Sequence, residues 1–153
     1  PLDWDQTHNL NGSVFMNYQK WGANAVFQYG SGYPYTPQIT NYESQGGVLS
    51  NVLLRNSRRK PTTFRLDLKL HRQIKIGDFD GRLYIRIQNL TDRRNQISVY
   101  GDSGKSDETI EKSRAQIISP FAPLRPNNVE QYFNRPDWYD PPRQIQMGLQ
   151  FSW

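Results

Sequence analysis

The clearest pattern in the chain is an alternation of apolar and polar residues over its last eleven positions, 143–153. The apolar residues, one at every second position, are Ile145, Met147, Leu149, Phe151 and Trp153. Successive side chains of a strand point to opposite faces, so this segment predicts a β-strand with one apolar and one polar face. A strand that crosses a membrane at the usual tilt has about 9 to 11 residues, an apolar outside, a polar inside and interfacial aromatics. The segment has all of these features.

The same alternation recurs upstream and predicts further strands at 8–18, 23–30, 62–72 and 82–90. The apolar residues of these strands, which would face lipid in a membrane, include Leu10, Val14, Met16, Phe27, Leu66, Leu68, Leu83, Ile85 and Ile87. The third strand has the sharpest period. A slip of one residue there would bring Arg65 and Lys69 to the apolar side. Each charge would then destabilise the strand by roughly 2 to 4 kcal/mol if that side lay at mid-bilayer. The pattern therefore predicts a unique register in lipid.

The connections between the predicted strands are short, long, short and long, with long loops at about 31–61 and 91–142. Antiparallel order places both long loops at one end of the sheet. Bacterial outer-membrane barrels have this asymmetry, with short turns in the periplasm and long loops outside. The C-terminus is then periplasmic, and two aromatic girdles are expected: Tyr18, Trp21 and Trp153 on the periplasmic side, Tyr29 and Phe64 on the outer side.

Five strands do not close a membrane barrel, because single-chain bacterial barrels have even counts from about eight upward. We therefore predict an all-β fold, an antiparallel transmembrane β-barrel of which residues 1–153 form the last five strands. The chain begins with Pro1 and shows no signal peptide, so a longer or processed protein is expected.

Composition excludes several other functions. The mean hydropathy is −0.84, and no apolar run reaches the 18 or so residues of a transmembrane helix. The chain has no Cys, which excludes thiol catalysis and thiolate metal sites, and two His argue against a histidine metal cluster. The net charge of +5 is scattered rather than concentrated, so no nucleic-acid interface is predicted.

We predict no enzyme activity, cofactor or metal site. Asp67 and His71 share a strand face but lie four residues apart, about 13 Å, which is too far for a hydrogen bond. Asp78 and Asp80 carry oxygen ligands of the kind calcium prefers. Their Gly-Asp-Phe-Asp-Gly context, 77–81, is more typical of a turn.

Three internal segments and the terminal strand resemble a known family. They are Leu-Asp-Trp-Asp-Gln-Thr-His at 2–8, Gly-Ser-Gly-Tyr-Pro-Tyr-Thr-Pro at 30–37, and Asn-Leu-Thr-Asp-Arg-Arg-Asn at 89–95. Along its full length the chain looks like the C-terminal end of a TonB-dependent outer-membrane receptor. The Asn-Leu-x-Asp element is the most specific, although the family usually has an aromatic where Thr91 stands. The segment 134–143 is similar to receptors from the Bacteroidetes.

This resemblance implies a barrel of about 22 strands, occluded by an N-terminal plug domain. Such a receptor imports a scarce large solute, such as a siderophore, cobalamin, glycan or peptide, with energy delivered by TonB through an upstream segment. The implied partners are outer-membrane lipid, the rest of the barrel and its plug, the barrel assembly machinery and a surface lipoprotein. Two other interpretations stay open: a non-transport outer-membrane barrel, such as an adhesin or secretion component, and a soluble β domain.

Two sets of residues are candidates for contacts inside and above such a barrel. The inner row, Arg65, Asp67, Lys69, Arg72, Arg82 and Arg86, would contact a plug domain or polar solute, or would simply be solvated. The loop aromatics could stack on a ligand or pack the loops; they are Tyr33, Tyr35, Tyr42, Tyr132, Phe133, Trp138 and Tyr139. Phe151 and Trp153 are expected to anchor the barrel in lipid and to be recognised during assembly by strand pairing.

Overall fold

The computed structural model describes residues 1–38, 55–77, 79–118 and 128–152. The strands are β1 (Asn9–Tyr18), β2 (Trp21–Gly30), β3 (Pro34–Tyr35), β4 (Arg58–Arg59), β5 (Thr63–Ile76), β6 (Phe79–Gln88) and β7 (Gln144–Ser152). Two short helices, α1 (Ile110–Ile118) and α2 (Val129–Phe133), and a 3-10 turn at Pro136–Trp138 follow β6. In the described part of the chain, no helix is both long and apolar enough to cross a membrane.

Five of these strands form one antiparallel sheet in the order β1-β2-β5-β6-β7, with β1 and β7 at its edges. The prediction of five long antiparallel strands in one sheet is confirmed. Its long strands have 9 to 14 residues. Each alternates apolar and polar positions without an internal Pro, which suits a sheet with two different faces.

The two short connections are tighter than the sequence predicted. Tyr18 pairs with Trp21 and Ile76 pairs with Phe79, so each hairpin closes with two residues. The expected connection at 77–81 is therefore wrong in extent. Gly77 adopts a positive φ of 61°, a conformation that two-residue hairpin turns use and that costs Gly little.

The chain divides into two compact units. The sheet unit comprises His8–Gly30, Thr63–Arg94 and Pro141–Trp153, and the loop unit comprises Pro1–Thr7, Ser31–Thr62 and Asn95–Asp140. Within the loop unit, the N-terminal segment and the two long loops contact one another. Asn56 donates to the backbone oxygen of Pro1 at 3.0 Å, and Lys60 Nζ donates to the backbone oxygen of Ile97 at 2.8 Å.

The long connections were predicted as loops, and the structure corrects this. The first contains β3 and β4, which pair with each other, and the second contains α1 and α2. Each helix begins at a side-chain cap: the Asp102 carboxylate accepts from the N–H of Ile110, and Asn128 Oδ1 accepts from the N–H of Gln131. Residues 39–54 and 119–127, and the expected girdle residue Trp153, lie outside the described residues.

Candidate functional site

The strand register brings the apolar positions of all five long strands to one face of the sheet. Directly paired residues of antiparallel strands share a face. Leu68, for example, pairs with Ala25 on one side and with Ile87 on the other, and Ile87 pairs in turn with Ile145. We call this surface the apolar face. It includes Leu10, Val14, Met16, Phe27, Leu66, Leu68, Leu83, Ile85, Ile87, Ile145, Met147, Leu149 and Phe151, which are the described members of the predicted lipid-facing and terminal sets.

Many side chains of the apolar face are open to the surroundings. Val14 is 62% exposed, Met16 65% and Met147 71%. Within the described residues, the one buried hydrophobic side chain is Phe133, which belongs to the loop unit. The sheet unit therefore does not use its apolar face to build an ordinary buried core.

The opposite face is largely polar, although Phe15 and Val26 also lie on it. Arg65, Asp67, Lys69, Arg82 and Arg86 lie on it, as the period predicted, together with Asn and Gln residues of the neighbouring strands. Arg65 Nε lies 3.0 Å from Asp67 Oδ1. Lys69 and Arg86 are direct cross-strand partners, an arrangement in which like charges repel unless they are solvated or paired with an anion. This face therefore needs a wet or anionic environment.

Arg72 departs from the prediction. It was expected in the basic row, but it lies on the apolar face, where it pairs with Trp21 and Leu83. The reason is parity, since Arg72 follows Leu68 by four positions and so points to the same side. Its guanidinium carbon lies 4.9 Å from the centre of the Trp21 ring, a cation–π distance.

The Asn-Leu-Thr-Asp segment after β6 is a hydrogen-bonded corner. Asn89 is 3% exposed and has a φ of 53°. Its Nδ2 donates to the backbone oxygens of Arg93, at 3.1 Å, and Pro141, at 3.2 Å. Its N–H donates to Asp67 Oδ1 at 2.9 Å, and Asp92 Oδ1 accepts from the N–H of Arg143 at 2.9 Å. The corner thus joins the end of β6 to β5 and to the entry of β7.

Thr91 stands where the family that the chain resembles usually has an aromatic residue. Its side chain is exposed, and its hydroxyl makes only a long hydrogen bond, of 3.5 Å, to Asn89 Oδ1. The corner's principal bonds come from Asn89 and Asp92 instead. This departure from the family pattern therefore leaves the hydrogen-bonded frame of the corner in place.

The predicted loop aromatics separate into two groups. Trp138 lies in a cluster with Tyr100, at a ring distance of 4.6 Å, and Tyr132 reaches the same cluster through Phe133, at 5.0 Å. Tyr33 is exposed and Tyr35 lies in β3, paired with Arg58. Tyr139 forms a bridge with Gln96. Tyr100 is a member of the cluster that the sequence does not reveal, because no local period links it to Phe133 or Trp138.

A cavity of about 260 Å³ adjoins this cluster in the loop unit. Its lining includes Lys112, Glu130, Phe133, Arg135 and Tyr139. Lys112 Nζ lies 2.8 Å from Glu130 Oε2, linking α1 to α2. This hydrogen bond lowers the pKa of Glu130 and raises that of Lys112 from their ordinary values. The cavity offers a mixture of charged and aromatic groups to a polar ligand.

Among the described residues, no group of three or more His, Cys, Asp or Glu side chains is arranged to hold a metal. Asp78 of the expected turn lies outside them. Comparison with family models, with curated proteins and with solved structures found no match to the chain.

Proposed function

We propose that the chain forms the C-terminal five strands of a bacterial outer-membrane β-barrel of the TonB-dependent receptor type, and that the complete protein imports a scarce large solute. The carrying observation is the exposed apolar face that spans all five strands. Fully burying one Leu, Ile or Met side chain is worth roughly 1.5 to 3 kcal/mol relative to leaving it in water. A soluble sheet covers such a face with a second layer. Acyl chains would do so here.

The dimensions and the opposite face support a membrane-spanning sheet. β1, β2 and β6 each have ten residues and β7 has nine. A tilted transmembrane strand needs about 9 to 11. The polar face, on which Lys69 and Arg86 are cross-strand partners, suits a wet barrel interior or the surface of an anionic plug.

The two edges support a larger barrel. β1 and β7 each pair with a single neighbour in the sheet. In a bilayer every unpaired backbone group costs several kcal/mol, so spanning strands occur in closed barrels. Strands from outside residues 1–153 would therefore pair with both edges.

The ends of the sheet support the orientation. Tyr29 pairs with Phe64 at the end from which both long connections leave, and Tyr18 pairs with Trp21 at the other end. Aromatic residues at two levels of the apolar face are typical of barrel girdles. The long connections of such a barrel face outside, where solute arrives. The choice of TonB-dependent transport depends on the resemblance, above all at 89–95.

Single cysteines test the facing directly, because residues 1–153 contain no native Cys. Four variants of the full-length protein, each with any other cysteines removed, would be placed in outer membranes. They carry Gln146→Cys, Met147→Cys, Leu149→Cys or Gln150→Cys. Each introduced thiol would carry the same fluorescent probe. We expect lipids with brominated chains to quench the probe at positions 147 and 149 more than the probe at positions 146 and 150. Equal quenching at all four sites would refute the membrane sheet.

Transport has its own test. Uptake of candidate solutes by cells that express the full-length protein should stop when TonB is deleted. A protein that sits in the outer membrane, with the expected quenching pattern, but supports no TonB-dependent uptake would contradict transport and leave the barrel standing.

A further inference from the structure

The apolar face carries a cation at one end, which a purely lipid-facing surface does not require. Arg72 is the one Asp, Glu, Lys or Arg residue that the register of the described residues places on this face. It is exposed, and no carboxylate among the described residues forms an ion pair with it. An anion from outside the described residues would therefore be free to pair with this charge.

The surroundings of Arg72 restrict where that anion lies. An arginine on the lipid side costs roughly 2 to 4 kcal/mol at the bilayer midplane and about 0 to 1 near the interface. Arg72 pairs with Trp21, the residue at the hairpin end of β2, and Trp21 pairs with Tyr18. Both aromatics are largely exposed, Trp21 at 54% and Tyr18 at 69%. Tryptophan and tyrosine concentrate at the headgroup level of a bilayer.

The geometry leaves the guanidinium able to bind. Its carbon lies 4.9 Å from the Trp21 ring centre, so the ring supports the planar group, which has five N–H donors and matches phosphate oxygens in pairs. Lys20, in the adjoining turn, is exposed, and its backbone oxygen accepts from the N–H of Gln73 at 2.7 Å, which holds that turn against β5. Lys20, which precedes Trp21 in the sequence, is therefore a second cation at this end of the sheet.

We propose that Arg72, Trp21 and Tyr18 form a binding site for the phosphate of a phospholipid headgroup at the periplasmic surface of the outer membrane. This inference rests on the proposed membrane function. The ring of Trp21 would meet the glycerol and upper acyl region, and Arg72 would donate to the phosphate oxygens. Binding of one phospholipid at this site would set the depth at which the sheet lies in the bilayer.

Native mass spectrometry of the full-length protein, released from maltoside detergent with added lipid, tests the site. The change is Arg72→Leu, and the matched control is Arg82→Leu, a cation at the neighbouring rung on the polar face. With phosphatidylglycerol we expect Arg72→Leu to lower the ratio of lipid-bound to free protein about fivefold, the factor for one basic residue at an anionic membrane surface. Arg82→Leu should leave the ratio unchanged, and Arg72→Lys should bind less lipid than the parent protein but more than Arg72→Leu, because an ammonium keeps the charge and loses the paired donors.

Two further arms identify the ligand. Diacylglycerol with the same chains lacks the phosphate, so its binding should not differ between the parent protein and Arg72→Leu. Inorganic phosphate at millimolar concentration should not displace phosphatidylglycerol if the lipid is the true occupant. Equal phosphatidylglycerol binding by Arg72→Leu and the parent protein overturns the proposal, as does full competition by inorganic phosphate. If Arg72→Leu does not fold, Arg72→Gln takes its place in every arm.

Quenching by lipids with brominated chains separates this inference from the proposed function. The difference in quenching between the parent protein and Trp21→Phe reports on Trp21 alone. Quenching of Trp21 with unchanged lipid binding by Arg72→Leu refutes only the phosphate site. No quenching of Trp21 refutes the membrane placement of the face, and the phosphate site with it.

Discussion

Asn89 donates a hydrogen bond from Nδ2 to the backbone oxygen of Pro141 at 3.2 Å, joining the end of β6 to the entry of β7 across 52 positions of the chain. The whole second long connection lies between these two residues. The corner and the pairing of Gln88 with Gln144 therefore hold the start of β7 beside the end of β6.

Replacing Asn89 should weaken the sheet unit. Asn89→Ala removes three side-chain hydrogen bonds and places Ala at a positive φ, which Asn tolerates better. We expect the free energy of unfolding to fall by about 2 kcal/mol or more. Urea unfolding of the full-length protein in detergent micelles would measure it. Asn89→Gly, which relieves the backbone alone, should recover part of the loss, and Thr91→Ala should stay within about 0.5 kcal/mol of the parent.

Adjacent residues on opposite faces should respond differently to a change of polarity. Leu68→Arg would place a charge on the apolar face at the middle of β5. If that face meets mid-bilayer lipid, the charge would destabilise the folded protein by roughly 2 to 4 kcal/mol. Lys69→Leu removes a charge from the polar face and relieves its repulsion with Arg86. We expect the amount of folded protein in outer membranes to drop for Leu68→Arg and to persist for Lys69→Leu. Equal tolerance at the two sites would contradict the assigned faces.

Gly148 lies directly opposite Tyr84, and a Cβ at position 148 would overlap the Tyr84 ring. Gly148→Ala must push this ring aside, so we expect it to lower the free energy of unfolding by about 1 to 3 kcal/mol. In the Tyr84→Ala background the same change should be nearly neutral, so a double-mutant cycle should give a coupling energy above about 1 kcal/mol. Gln146→Ala, on the same face, serves as the control. The same cost in both backgrounds would show that the ring and the glycine are not coupled.

Acid should loosen the start of α1. Partial burial raises the pKa of the Asp102 carboxyl, but bonds from the Ile110 N–H, the Thr109 hydroxyl and the Ser103 N–H outweigh it and hold the pKa below the ordinary 3.8. A depressed carboxyl pKa stabilises the fold above the unfolded value, and this stabilisation is lost as pH falls through the folded one.

Amide hydrogen exchange checks this pH dependence. Corrected for intrinsic rates, exchange at Ile110 should speed up as pH falls below the ordinary carboxyl value of 3.8 toward the lower pKa of Asp102 in the folded state. In Asp102→Asn, exchange at Ile110 should be faster at neutral pH and should lose this dependence. Asp107→Asn, a nearby acid whose carboxyl does not cap the helix, is the control. A pH profile that is the same in the parent and in Asp102→Asn would show that the carboxylate is not the cap.

The alternation of apolar and polar residues is enough to predict the five long strands and the two faces of each. Period two is a local property of the chain, so Leu66 and Leu68 had to oppose Arg65 and Lys69 wherever the strand lay. The same parity placed Arg72 on the apolar side, and the error in assigning it to the basic row came from following charge instead of period. Resemblance at 89–95 marked an important corner, but it did not say what Asn89 holds.

Contacts between residues distant in sequence follow from the folded structure and not from any local pattern. The pairing of β2 with β5 skips a connection of more than thirty residues, and the register that sets Arg72 beside Trp21 follows from that pairing. The bond from Asn89 to Pro141 and the ring contact of Tyr100 with Trp138 likewise join separate segments. Such contacts depend on the ends of several elements meeting at once, and no local period encodes that meeting. The helices α1 and α2 begin where Asp102 and Asn128 accept hydrogen bonds from backbone N–H groups, whereas the sequence predicts loops there.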